Sequence, residues 1–263
     1  MNSPLSDRER DALLQHMVAI AREAGVVILR HYAGEIERRQ KADKSPVTAA
    51  DEEAEALILR RLNVAAPGLP IVAEESVAAG ATPDVSSGVF FLVDPLDGTK
   101  EFLNRNGEFT VNIALVEHGQ PTAGVVYAPA KERLFWAAGF KAFEEKGGAA
   151  IPIATRTPPK EGLVAIASRS HRDRLTEELL AHYPIAKLIA AGSSLKFCII
   201  AAGEADLYPR HGPTMEWDTA AGHAVLRAAG GVVTRLDGKT PLTYGNVAEK
   251  FQNPSFVAWG RPR

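Results

Sequence analysis

The sequence predicts an α/β protein of α+β type, with sheets and helices stacked in layers. Three observations predict it. Val89 to Val93 is an unbroken apolar run, the pattern of a strand buried on both faces. Two segments before it, from Ser6 and from Thr48, carry apolar residues at helical spacing. From Leu163 onward, short apolar strands alternate with helical segments, which calls for sheet and helix layers packed on one another.

Each element follows from local chemistry. Ser6 to Tyr32 reads as one helix: Leu13, Met17, Ile20, Ala24 and Val27 recur at three- and four-residue steps, and Ser6 with Glu9 makes a capping-box pattern. Thr48 to Leu62 is a second helix, with Ala54, Leu57, Ile58 and Leu62 on one stripe. Pro67, Gly68 and Pro70 end it and lead into a short strand, Ile71 to Ala73. Residues Ser76 to Gly88, rich in Ala, Gly, Ser and Pro, read as an exposed loop. Strands follow at Val89–Val93, Val111–Val116, Ala123–Tyr127 and Leu134–Ala138, with His118-Gly119-Gln120-Pro121 as a hairpin turn. Pro158-Pro159 divides residues 1–157 from 158–263, read as two halves of one compact unit with the active site between them. Strands at Leu163–Ala167, Ala186–Ala190 and Ala205–Tyr208 then alternate with helices at Asp173–His182, Ser193–Ala202 and Thr219–Ala229. The last strands lie near Val232 and at Phe256–Trp259.

Composition excludes several classes. Of the 263 residues, 46% are apolar and 24% charged, and the net charge is −2, so the chain is not disordered. Without a basic excess it is no general nucleic-acid coat. Cys198 is the one cysteine, which leaves no intrachain disulfide and no cysteine-built zinc site and favours a reducing compartment. No uninterrupted apolar run approaches the ~20 residues of a membrane span, and Met1 to Asp11 is charged and mixed in sign, unlike a signal peptide. A cytoplasmic protein is expected, with peripheral contact at the inner membrane left open.

The chemistry concentrates in Asp94-Pro95-Leu96-Asp97-Gly98-Thr99. Two acids three residues apart sit at the carboxyl end of a buried strand, where open α/β sheets hold ligands. Pro95 cannot join a sheet ladder, so a turn is expected there. The two carboxylates and the Leu96 carbonyl would then suit a hard cation such as Mg²⁺ or Mn²⁺; a plain Asp-Gly turn is the alternative. Glu74-Glu75 ends the neighbouring strand, either at the same sheet edge or as a solvated strand end. Asp218 opens an Ala-rich helix, as an N-cap, a ligand or both. Asp51 is three residues beyond Thr48, a capping pair; with the Thr99 hydroxyl it could also accept a proton from an attacking water.

Together these segments resemble the inositol monophosphatase superfamily of lithium-sensitive, Mg²⁺-dependent phosphatases. Glu74-Glu75, Asp94 to Thr99 and Trp217-Asp218-Thr219-Ala220-Ala221-Gly222 match its two signatures. Ser45 to Asp51, Lys100-Glu101-Phe102, Asn106 to Asn112, Ser168-Arg169-Ser170-His171, Gly192 to Cys198 and Leu207 to Arg210 are similar to its 3′(2′),5′-bisphosphate nucleotidase branch. The resemblance runs in order from about Ser6 to Phe256. It implies a five-layer αβαβα sandwich of the inositol monophosphatase and fructose-1,6-bisphosphatase type. It implies hydrolysis of 3′-phosphoadenosine 5′-phosphate to AMP and phosphate, with two or three Mg²⁺ per site, Mn²⁺ as a substitute and Li⁺ as an inhibitor. Carried over by position, Glu74, Asp94, Leu96 through its carbonyl, Asp97 and Asp218 hold the metal, and Asp51 and Thr99 activate water. Gly98 and Thr99 N–H groups take the scissile phosphate, and His171, Ser193, Lys196, Arg210 and Asp218 contact the nucleotide. Taken singly, Lys196 and Arg210 could instead be solvated surface charges. The rivals are an inositol monophosphatase, a broader sugar phosphatase and a binding protein that senses metal or nucleotide. A monomer and a homodimer both stay open.

Overall fold

The computed structural model describes residues 5–35, 39–40, 46–168 and 174–261. Ser6 caps α1 (Asp7–Ala33), its hydroxyl accepting from Glu9 N–H while the Glu9 carboxylate takes the Ser6 N–H at 2.8 Å. A small ribbon of β1 (Arg39–Gln40) and β2 (Pro46–Val47) precedes α2 (Ala49–Ala65), which Thr48 and Asp51 cap in the same reciprocal way. The N-terminal half continues through β3 (Ile71–Ala73), α3 (Glu74–Ala78), β4 (Val89–Asp97), α4 (Thr99–Leu103), β5 (Thr110–Glu117) and β6 (Gln120–Ala128). It ends with β7 (Arg133–Ala138), β8 (Lys141–Lys146) and β9 (Ala149–Ile153). The C-terminal half holds β10 (Leu163–Ser168), α5 (Arg174–Leu180), β11 (Ile185–Ala191), α6 (Leu195–Ala201), β12 (Leu207–Arg210), α7 (Glu216–Ala228), β13 (Val232–Arg235) and β14 (Phe256–Trp259).

Strands β3 to β9 form one sheet in sequence order, with β3 parallel to β4 and each later neighbour antiparallel. A second sheet has the order β11-β10-β12-β14-β13, its first three strands parallel and the rest antiparallel. Strand β4 shows why its sequence is apolar throughout. Phe91 and Val93 face α1 and α2 and pack with Met17, Ile20, Ala54 and Ile58. Phe90 and Leu92, on the opposite face by the two-residue repeat, pack with Phe197, Ala220, Ala221 and Val225 of α6 and α7. Those two helices are covered in turn by Tyr208, Val233 and Phe256 of the second sheet. Helix α5 closes the far side, with Leu180 on Leu163, Leu207 and Val257. The layers therefore run α, β, α, β, α as expected, and the central core draws on residues from both sides of Pro158-Pro159.

The structure corrects several details. Strand β4 does not stop at Val93 and turn at Pro95. Its pairing with β5 resumes at Asp97–Thr110 after an irregularity between Asp94 and Asp97, so proline is accommodated by a bulge within the strand. Ser76 to Ala78 belong to α3 rather than to a loop. Strands β8 and β9 are additions to the sequence reading. Charged residues disguise β8, where Glu144 is buried and Arg133 Nε donates to it at 2.6 Å, and Pro152 disguises β9, which pairs with β8 alone at the sheet edge. Helix α7 begins at Glu216, not Thr219. Among the described residues α1 is long and apolar enough, by length and composition, to cross a membrane, since Arg22 and Glu23 interrupt its apolar residues only briefly. That departs from the expected absence of such a stretch; here Met17, Ile20, Ala21, Ala24 and Ile28 are buried in the core beside the first sheet. Asp173, the expected start of α5, lies outside the described residues.

Candidate active site

One cleft of about 350 Å³ is lined by residues from both sides of Pro158-Pro159 and collects chain ends from both sheets. Glu74 stands at the start of α3, Asp97 at the end of β4, Gly98 and Thr99 at the start of α4, and Ser193 and Lys196 at the approach to α6. Tyr208 and Arg210 come from β12 and Asp218 from the first turn of α7; all of them line the cleft. Asp94 and Leu96 are buried on β4, and Asp51 on α2.

The four acids influence one another. Burial, then Glu74, Asp97 and Asp218, push the Asp94 carboxyl well above the usual range. Its Oδ1 accepts the Leu96 N–H at 3.0 Å, and Glu74 shares a hydrogen bond with it. Burial, then Asp97 and Glu74, likewise raise Asp218, whose Oδ2 accepts the Met215 N–H at 2.8 Å. Asp218 is therefore the third residue of α7, and Met215 holds the N-cap position. Asp97 is raised to about 6, mainly by burial; Lys196, the Ser194 N–H at 2.6 Å and the Asn112 amide at 3.3 Å act in the opposite direction. Among the described residues no three acidic, histidine or cysteine side chains close into a ready metal cage, so this ring of acids is looser than a preformed one. Glu74 is not a solvated strand end: it faces the cleft and Asp94.

Asp51 has a directed arrangement. Its Oδ2 accepts the Thr48 N–H at 2.8 Å and the Thr48 hydroxyl at 2.6 Å, leaving Oδ1 to accept the Thr99 hydroxyl at 3.3 Å. Thr99 Oγ1 also lies 3.5 Å from the Leu96 carbonyl oxygen. Gly98 permits the bend before Thr99: its φ is +92°, and an added Cβ would stand 3.1 Å from the Glu108 carbonyl oxygen.

The cationic side differs from a solvated surface. Lys196 is 5% exposed and Arg210 8%. The Lys196 ammonium donates to the Ser193 carbonyl and lies 5.2 Å from the centre of the Tyr208 ring. Burial lowers it to about 8 against the pull of Asp97. The Arg210 guanidinium donates to the Gly212 and Pro213 carbonyls at 3.1 and 3.0 Å, which aims it along one wall. His171 and Ser45 lie outside the described residues. Sequence reasoning passed over Tyr208 as the platform for Lys196, and Asn112 and Ser194 as the partners of Asp97. Asn112 had a signal: it is a polar residue set in the apolar run of β5, directly opposite Asp94 in register.

The sequence profile of the Inositol monophosphatase family matches residues 9–257, and the chain belongs to that family. It is 46% identical, over 93% of its own length and 98% of theirs, to the 3′(2′),5′-bisphosphate nucleotidases CysQ of Salmonella typhimurium and Escherichia coli K12. The crystal structure of CysQ from Bacteroides thetaiotaomicron is similar with a TM-score of 0.78 at 38% identity, covering 95% of this chain and 98% of that one. Inositol monophosphatase from Anabaena gives a TM-score of 0.75 at 28% identity, covering 95% and 91%.

Proposed function

We propose that this protein is a 3′(2′),5′-bisphosphate nucleotidase that uses Mg²⁺ to remove the 3′-phosphate of 3′-phosphoadenosine 5′-phosphate, giving AMP and phosphate in the cytoplasm. The observation that carries the reading is that one cleft holds both kinds of charge: Glu74, Asp97 and Asp218 line it with Asp94 buried beside them, and the buried cations Lys196 and Arg210 line it too. A substrate with two separate phosphates uses both: one phosphate meets the acids through a cation, and the other meets the cationic side chains directly. The nucleotidase names of the relatives support the same choice.

The donor set fits a hard divalent cation. Glu74, Asp94, Asp97, Asp218 and the Leu96 carbonyl offer oxygen alone, and three of the acids have raised proton affinity, chiefly from burial and further from their neighbouring carboxylates, a charge that a bound cation would neutralise. When bound, the cation supplies a lowered water pKa and screens charge on the leaving oxygen. The chain's own residues do the rest. Thr99 Oγ1 accepts a proton from the attacking water while passing its own to Asp51 Oδ1, along the 3.3 Å hydrogen bond already in place. Thr48 holds the other Asp51 oxygen and so keeps that carboxylate turned toward Thr99. Backbone N–H groups of Gly98 and Thr99 orient the scissile phosphate, and Ser193, Lys196 and Arg210 take the second phosphate. Positioning and charge neutralisation are what phosphoryl transfer chiefly requires.

Phosphate release with Mg²⁺, comparing 3′-phosphoadenosine 5′-phosphate with inositol 1-phosphate at equal low concentration, tests this. The expected preference is about a hundredfold in kcat/KM, roughly 2.7 kcal/mol. A preference for the inositol ester would retain the cation site and reject the nucleotide assignment. No release from either substrate would reject catalysis and favour a binding protein.

A further inference from the structure

Glu55 is a buried acid, 4% exposed, one helical turn beyond Asp51 on α2. Its carboxylate serves another helix. Oε2 accepts the Glu75 N–H at 2.7 Å, and Oε1 accepts the Ser76 N–H at 2.8 Å and the Ser76 hydroxyl at 2.6 Å. These are the second and third N–H groups of α3, the donors that an N-cap side chain ordinarily takes. The N-cap position of α3 is Ala73, which has no such side chain. Glu55 therefore caps α3 from α2, with a negative charge suited to the helix end.

The residue immediately before these two donors is Glu74. It begins α3, faces the cleft and meets Asp94. A five-residue helix has little internal means of holding its first turn in place. Two elements that must agree within a fraction of an ångström are thus fixed by one side chain: α2, carrying Asp51, and α3, carrying Glu74. We propose that Glu55 is a positioning residue, which by capping α3 holds the Glu74 carboxylate in place for cation binding. This rests on the reading that Glu74 binds the cation.

The test is Mn²⁺ binding to the full chain without substrate, followed by the electron paramagnetic resonance signal of free Mn²⁺. Glu55→Gln keeps the shape but replaces one acceptor oxygen by a donor facing other donors, and is expected to raise the Mn²⁺ Kd about tenfold or more. Ser76→Ala removes one of the three bonds and is expected to raise it roughly twofold. Because the effect runs through Glu74, adding Glu55→Gln to Glu74→Gln should weaken binding little further. At saturating cation the nucleotide KM of Glu55→Gln should stay at the wild-type value. A folded Glu55→Gln protein with wild-type Mn²⁺ affinity overturns the proposal, as does a full additional loss in the double variant. If Glu55→Gln does not fold, wild-type affinity in Ser76→Ala overturns it. Wild-type affinity in Glu74→Gln instead overturns the cation reading beneath it.

Discussion

Ser194 donates its backbone N–H to Asp97 Oδ2 over 2.6 Å, although the two residues are 97 positions apart. The acid at the end of β4 is thereby held by the residue leading into α6. Asn112 donates to the same oxygen, and its own Oδ1 accepts the Ser194 hydroxyl at 2.7 Å. Three segments from both halves thus converge on one carboxylate. These donors favour the ionised form, yet burial outweighs them and the group is raised to about 6.

The sign of that shift sets a pH dependence. Below the ordinary value of 3.8 both folded and unfolded chains hold the Asp97 proton. Between 3.8 and about 6 the unfolded chain releases it while the folded protein keeps it, so stability falls as pH rises through this window and then levels off. In cation-free buffer, the Tm of Asp97→Asn relative to wild type should therefore climb from pH 4 to pH 6 and stay level above. Calorimetric scans of both proteins in chelator check this. A gap that is constant, or that closes with rising pH, contradicts it. Saturating Mg²⁺ should raise the wild-type Tm at pH 7 more than that of the variant.

Asp94→Asn separates chemistry from folding. The Leu96 N–H bond is made to Asp94 Oδ1, an atom that asparagine retains. One charge leaves a buried acidic group, so the cation-free variant should melt no lower than wild type. Turnover at saturating Mg²⁺ should fall by more than about tenfold. Steady-state kinetics and melting on one preparation decide the matter: retention of more than about a tenth of wild-type turnover would remove Asp94 from the site.

What was legible in the sequence was local. Ser6 with Glu9 and Thr48 with Asp51 carry their capping chemistry within one turn, and both helices start where those pairs place them. The acids of β4 were legible because a short segment holds both of them with Gly98. What depends on distant partners was not. Glu144 becomes a strand residue because Arg133 meets it across the sheet. Lys196 leaves solvent because Tyr208 lies beneath it. The bulge at Pro95 is visible only once Thr110 is known to pair with Asp97.

Lys196 gives a prediction on specificity. Its lowered value of about 8 means that the ammonium loses its proton as pH rises past that point in the free protein. kcat/KM for the bisphosphate nucleotide should therefore decline above about pH 8, and less so for inositol 1-phosphate, which has no second phosphate to meet Lys196. Lys196→Ala should raise the nucleotide KM roughly tenfold or more and the inositol ester KM much less. Equal changes for both substrates would leave Lys196 as a packing residue.

Gly98 and Gly68 provide a matched pair. Both have left-handed backbones, at φ +92° and +85°. Around Gly68 an added Cβ meets nothing within 4 Å, whereas at Gly98 it meets the Glu108 carbonyl oxygen at 3.1 Å and Ser193 Cβ at 3.4 Å. Alanine at either position incurs the conformational cost of about 1 kcal/mol, so each variant should lose a few degrees in Tm. Only Gly98→Ala also pushes apart the two walls of the cleft, since a backbone carbonyl cannot swing aside as a side chain can. Its kcat/KM should drop by more than about tenfold, while Gly68→Ala keeps wild-type kinetics. Wild-type kinetics in Gly98→Ala would show that the chain at Gly98 does not set the position of Thr99.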